Sequence, residues 1–87
     1  MEIGYVIHLG TNYASNRGFP YAELRSLARQ AEQAGFDSLW FYDHFIFDLD
    51  GQPREGMWEA WTMMSAIAEA TERVQLGTLV LCNQMRH

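Results

Sequence analysis

The chain has 87 residues, 48% of them hydrophobic and 20% charged, which is room for one small domain and too apolar for a disordered chain. All the basic residues are arginine, and eleven acidic residues bring the net charge to −5, which argues against nucleic-acid and anionic-membrane partners. No apolar run approaches the ~20 residues that span a bilayer, no basic-then-apolar leader opens the chain, and the single cysteine, Cys82, supplies neither an internal disulfide nor a Cys-type zinc site, so the expectation is a soluble cytoplasmic protein.

Residues 2–9 (EIGYVIHL) are rich in Ile, Val and Tyr and predict a first strand. The polar stretch from Gly10 to Gly18 reads as a long loop. Residues 21–34 carry Leu24, Leu27, Ala28, Ala31 and Ala34, spacings of three and four that make one apolar stripe on a helix. Pro20 suits its first turn and Gly35 its left-handed cap. Residues 38–42 (SLWFY) form a short, nearly unbroken apolar run, the pattern of a strand buried on both faces. Asp43 to Met57 is loop-like, with Gly51, Pro53 and Gly56. Residues 58–71 predict a second helix, with Trp58, Trp61, Met64, Ile67 and Ala68 as its core face. Residues 74–82 (VQLGTLVLC) predict a third buried strand.

The order is β-α-β-α-β, with strand starts near residues 3, 38 and 74. Strands alternating with helices imply a parallel sheet. A doubly wound sheet and a (β/α)₈ TIM barrel both use such units. The segment after the first strand, Gly10-Thr11-Asn12-Tyr13-Ala14, lacks the G-x-G-x-x-G fingerprint, and there is no Walker loop. That favours the barrel. A barrel needs ~200 residues or more, so residues 1–87 are expected to be the incomplete N-terminal part of one. Three strands cannot close around a core, and their open edges favour pairing with another copy, a homo-oligomer.

Functional groups of parallel β/α folds cluster at the carboxyl ends of strands. There the sequence places His8, Asp43-His44, and the stretch from Cys82 to His87. Neighbours on an extended backbone point to opposite faces, so one of Asp43 and His44 faces the barrel mouth. Two readings of the pair stand. In the structural one, Asp43 holds local backbone amides and His44 lies on the aromatics. In the functional one, the imidazole moves a proton or hydrogen-bonds a planar ring. Asp48, Asp50 and Gly51 hint at a calcium loop, but Gly51 as sixth position puts Ile46 first and Met57 twelfth, where acids are required, so a solvated loop is the better reading. His8, Asp43, His44 and His87 have no metal-ligand spacing, and no metal site is expected. Cys82 reads as a small apolar filler rather than a nucleophile.

Three stretches carry a resemblance: residues 31–40 (AEQAGFDSLW), Asp43-His44-Phe45, and residues 72–80 (ERVQLGTLV) followed by Arg86-His87. Together they make the chain resemble the luciferase-like flavin-dependent oxidoreductases, over a length equal to the first quarter to third of such an enzyme. The resemblance implies a (β/α)₈ barrel using reduced FMN or the deazaflavin coenzyme F-420, for monooxygenation or hydride transfer on a small-molecule substrate. Asp43-His44-Phe45 looks more like the deazaflavin branch. It implies a catalytic role for His44 beside ring and substrate, with Asp43 supporting it. It also implies a non-prolyl cis peptide at Leu79-Val80, with both residues and His44 against the cofactor ring. The family's phosphate-binding residues are expected in later strands. Two rivals remain at this stage: a metal-dependent barrel hydrolase, and a truncated or interaction fragment with no activity of its own.

Overall fold

The computed structural model describes residues 1–12, 17–18, 20–44, 46–47 and 55–85. In chain order its elements are β1 (Gly4–Val6), β2 (Thr11–Asn12), β3 (Arg17–Gly18), α1 (Tyr21–Ala34), β4 (Ser38–Phe41), β5 (Ile46–Phe47), β6 (Glu55–Gly56), α2 (Ala60–Ala70) and β7 (Gln75–Thr78). A 3₁₀ turn follows at Asn83–Met85. The expected β-α-β-α-β unit is present as β1, α1, β4, α2 and β7. Its strands form one parallel sheet in the order β1-β4-β7, with Tyr5 opposite Leu39 and Leu39 opposite Leu76. The two stretches read as plain loops each contain a short antiparallel ladder, β2 with β3 and β5 with β6. Two-residue ladders are too short to leave a period in the sequence.

Alternation along the strands sets up the core. Ile7, Leu9, Leu39 and Phe41 are buried together with Leu24, Ala28 and Ala31 of α1, and with Ala60, Met63 and Ile67 of α2. Fully burying a Leu, Ile or Phe side chain stabilises by about 1.5–3 kcal/mol, so this single layer between sheet and helices holds the unit together. The opposite face of the sheet is different. Val6 is 48% exposed and Trp40 is half-buried. The expectation of strands buried on both faces therefore fails in the described residues. Trp40 lies across the strand beside it: a Cβ on Gly77 would come within 2.7 Å of its six-membered ring. Its indole N–H donates to Ser38 Oγ at 2.9 Å.

Both helices are bounded by local chemistry. Pro20 sits just before α1 rather than in its first turn, and its carbonyl accepts from the N–H groups of Glu23 and Leu24. At the other end Gly35 has φ 99°, and its N–H donates to Glu32 while that of Phe36 donates to Ala31, a Schellman closure that needs the left-handed residue. Phe36 then packs edge-on against Tyr5 of β1, with centroids 5.5 Å apart. Helix α2 starts later than expected. The Glu59 carboxylate caps it, accepting from the N–H groups of Trp61 and Thr62. Its core face is Ala60, Met63 and Ile67, not the face through Trp58, Trp61 and Ala68. Trp58 and Trp61 are 43% and 47% exposed, and Ala68 is exposed too. One residue along a helix is a rotation of about 100°, so an apolar run that wraps the helix leaves the choice of face to the sheet beneath it.

Glu32 joins the end of α1 to the approach to β7. Its carboxylate accepts from the backbone N–H groups of Glu72, Arg73 (2.6 Å) and Val74 (2.8 Å), while the Arg73 guanidinium donates to the carbonyl of Glu32. The amides of Val74 and Arg73, then that of Glu72 and the Arg73 charge, hold the Glu32 carboxyl below its ordinary value of 4.5, against the opposing effect of lost solvation. A carboxyl with a depressed folded-state pKa stabilises the fold at pH above its unfolded value, and the contribution fades as pH falls through the lower folded value. Glu32→Ala is therefore expected to lower the thermal midpoint at neutral pH, and the gap from the wild type should narrow below pH 4.5. Melting curves across that range check it. A gap of constant size at every pH would show that the ionised carboxylate is not what matters.

Candidate active site

The carboxyl ends of the three parallel strands converge on one region. The alternation of β4 continues past its end: Phe41 is buried, Tyr42 half-buried, Asp43 buried and His44 exposed. Asp43 thus shares the helix side with Leu39 and Phe41, while Tyr42 and His44 share the other side with Trp40. This is the opposed arrangement expected for Asp43 and His44.

Asp43 is 2% exposed. Its Oδ2 accepts the backbone N–H of Cys82 at 2.7 Å, tying the end of β4 to the segment that follows β7. Along that segment the Leu79-Val80 peptide is cis, as the resemblance implied. Leu79, Val80 and Leu81 all present apolar side chains to solvent. The third strand is therefore shorter than the sequence run suggested, ending at Thr78, and Cys82 is half-buried.

A cleft of about 320 Å³ opens beside these strand ends, lined by His8, Tyr42, His44 and Met57. The Tyr42 ring neighbours both imidazoles, its centroid 6.2 Å from that of His8 and 5.8 Å from that of His44. Tyr42 Oη accepts the Leu9 N–H at 2.8 Å and lies 2.8 Å from His8 Nδ1. Among the described residues, the lining is two imidazoles and a phenol ring, with a methionine as the apolar wall.

The profile of the family described as "Luciferase-like monooxygenase" matches residues 1–87. The chain belongs to that luciferase-like family. Among curated relatives, it is 40% identical over 76 residues to the F420-dependent glucose-6-phosphate dehydrogenase of Amycolatopsis mediterranei (strain U-32), covering 85% of this chain and 22% of that protein. It is also 40% identical over 77 residues to the enzyme of the same name from Kineococcus radiotolerans (strain ATCC BAA-149 / DSM 14245 / SRS30216), with 85% and 21% covered. Among solved structures, an F420-dependent secondary alcohol dehydrogenase in complex with an F420-acetone adduct superposes with a TM-score of 0.71 at 30% identity, over 94% of this chain and 22% of that one. The chain thus spans about a fifth of the length of the relatives it matches. The fold is an α/β unit of the TIM-barrel type.

For this luciferase-like chain, the structure brings His44, Asp43, Leu79 and Val80 to the same end of one sheet. Among the described residues, no three of His, Cys, Asp and Glu are grouped to hold a metal ion, and no helix is long and apolar enough to cross a membrane. Phe45, Asp48, Asp50, Gly51, Arg86 and His87 lie outside the described residues. Tyr42 and Met57 are not among the residues the sequence singles out, and His8 is singled out there as a strand-end group and as one member of a possible metal set. A signal for Tyr42 was present: period-two alternation places it on the same side as His44. None existed for Met57, which reaches the cleft from the segment ahead of α2.

Proposed function

We propose that the chain is the N-terminal part of a (β/α)₈ barrel enzyme that transfers a hydride between the deazaflavin coenzyme and a small organic alcohol or its carbonyl product. The observation that carries this reading is His44, exposed on the wall of a cleft at the carboxyl ends of the parallel strands. The relatives support it, since those named above are F420-dependent dehydrogenases. The site fits a planar ring system on its own evidence. The cleft wall is chiefly ring and thioether, and the exposed side chains of Leu79 and Val80 offer an apolar bed at the same sheet end. In this reading Leu79, Val80 and His44 hold the coenzyme ring, and later strands supply its phosphate anchor.

Bound deazaflavin supplies a two-electron acceptor for hydride. The chain supplies the proton chemistry. An alcohol that becomes a carbonyl must lose its O–H proton, and His44 takes it at a ring nitrogen as the general base. In the reverse direction the same nitrogen returns the proton to the carbonyl oxygen. Apolar walls exclude water and hold the reacting carbon in place. Asp43 contributes by fixing the segment that carries Leu79 and Val80, through the amide of Cys82.

The test is equilibrium binding to the complete protein. Deazaflavin is expected to bind at least tenfold more tightly than FMN, followed by fluorescence and by protection against unfolding. Tighter binding of FMN would move the protein to the flavin monooxygenase branch of its family.

A further inference from the structure

Trp40 sits on the same side of the sheet as Tyr42 and His44, two residues before Tyr42 and so about 6–7 Å further from the carboxyl ends of the strands. Val6 pairs with Trp40 and Trp40 with Gly77, so these three stand at one level. Two residues on, the same registers bring His8, Tyr42 and Leu79 to the next level. The Leu79 N–H donates to the Phe41 carbonyl at 2.7 Å and the Ile7 N–H to that of Trp40 at 2.9 Å, as this continuation requires. The cleft belongs to the upper level: among the described residues, its lining includes His8 and Tyr42 and none of Val6, Trp40 and Gly77.

The lower level is filled by one ring. A Cβ on Gly4 would fall 2.6 Å from the indole nitrogen of Trp40, and one on Gly77 would fall 2.7 Å from its six-membered ring. The indole therefore lies across the sheet, over β1 at one edge and over β7 at the other, in space that side chains at positions 4 and 77 would otherwise take. Its N–H donates to Ser38 Oγ at 2.9 Å, which sets the way the ring faces. A glycine inside a strand weakens it and marks a close approach by another group; at Gly77 that group is the indole.

We propose that Trp40 is a specificity-determining residue: its indole is the floor of the cleft and limits how far a substrate extends from the reacting carbon down the axis of the barrel. The proposal rests on the cleft being the substrate site of the proposed dehydrogenase. Barrel interiors are filled in layers by side chains. A substrate entering from the strand ends stops at the first filled layer, and here that layer is a rigid ring backed by glycine backbone with no room to retreat. Compact substrates fit above it, and long alkyl chains do not. A smaller side chain at position 40 leaves an apolar void beneath Tyr42, and such a void takes an apolar guest.

Butan-2-ol and octan-2-ol are the probes, since they share the reacting centre and differ only in chain length. In the complete protein with deazaflavin, Trp40→Leu is expected to raise the kcat/KM ratio of octan-2-ol to butan-2-ol by at least about tenfold, chiefly through the KM of the longer alcohol. Trp40→Phe removes less of the ring and should move the ratio the same way by less, so the test does not depend on the folding of the leucine variant. Gly77→Ala is the control for a merely structural role: its Cβ meets the ring, so it should lower the thermal midpoint without raising the ratio. Calorimetry gives a readout independent of turnover. Octan-2-ol is expected to bind the coenzyme-free Trp40→Leu protein about tenfold more tightly than the wild type, and butan-2-ol equally in both. An unchanged ratio together with unchanged affinity for octan-2-ol in both Trp40 variants overturns the proposal and leaves the hydride-transfer reading in place. Tighter binding of octan-2-ol to a variant of a protein that oxidises neither alcohol supports the floor and overturns the hydride-transfer reading instead.

Discussion

His44→Ala in the complete protein is expected to lower kcat by ~10²–10⁴-fold, the range of positioned acid-base help. His44 is exposed on the cleft wall beside the Tyr42 ring and is not among the buried core residues. The substitution should therefore leave the thermal midpoint near that of the wild type and shift deazaflavin affinity only a few-fold. Steady-state kinetics beside a binding isotherm separate the two quantities. Added imidazole should restore part of the lost rate, because it can occupy the space vacated by the ring. A variant that turns over at the wild-type rate would remove the proton-handling role. One that loses coenzyme binding and rate in equal measure would recast His44 as a wall of the ring site alone.

Asp43→Ala should produce the opposite profile. Asp43 is buried, and its Oδ2 is the acceptor for the Cys82 amide. Removing the acceptor strands a partly buried N–H at a cost of about 1–3 kcal/mol. It also removes one of the ties between the end of β4 and the segment after β7, leaving the Leu79 N–H bonded to the Phe41 carbonyl at 2.7 Å. A lower urea midpoint and weaker coenzyme binding are expected together, with a smaller effect on the rate of enzyme that does bind. Asp43→Asn keeps a carbonyl oxygen where the carboxylate oxygen was, so it should recover much of the stability. Equal losses in the Ala and Asn variants would show that the negative charge, not the acceptor to Cys82, is what the position requires.

The fold was largely legible because its signals are local and redundant. The stripe from Leu24 through Ala31 and the glycine at position 35 fix α1 at both ends, and the structure keeps each of them. The apolar run of residues 38–42 marks the central strand whatever surrounds it. The helix α2 was legible as a helix but not in its orientation. The indoles of Trp58 and Trp61 are the bulkiest apolar groups of this stretch, yet they are exposed while Ala60 and Met63 are buried and Met64 is half-buried. Of the candidate site, Asp43 and His44 were legible as strand-end positions, because functional groups of parallel β/α folds gather there. The bond from Cys82 to Asp43 spans 39 residues, and the contact of His8 with Tyr42 spans 34, separations at which a single sequence carries no trace of pairing. Those contacts come from the register of parallel strands, which pairs Val6 with Trp40 and so carries His8 alongside Tyr42.

Hydride transfer to a deazaflavin and oxygen insertion from dioxygen leave different atoms in the products of this proposed cleft. The most direct measurement follows an isotope. A secondary alcohol deuterated at the carbon bearing the hydroxyl is mixed with the complete protein under labelled dioxygen, in one arm with oxidised deazaflavin and in the other with reduced FMN, the electron source that oxygen insertion requires. Mass spectrometry of both products after a single turnover then reads where the labels went. The account predicts one deuterium on the reduced coenzyme per carbonyl formed, and no label from dioxygen in the organic product. A product carrying an atom of the labelled oxygen, with no deuterium on the coenzyme, would contradict it.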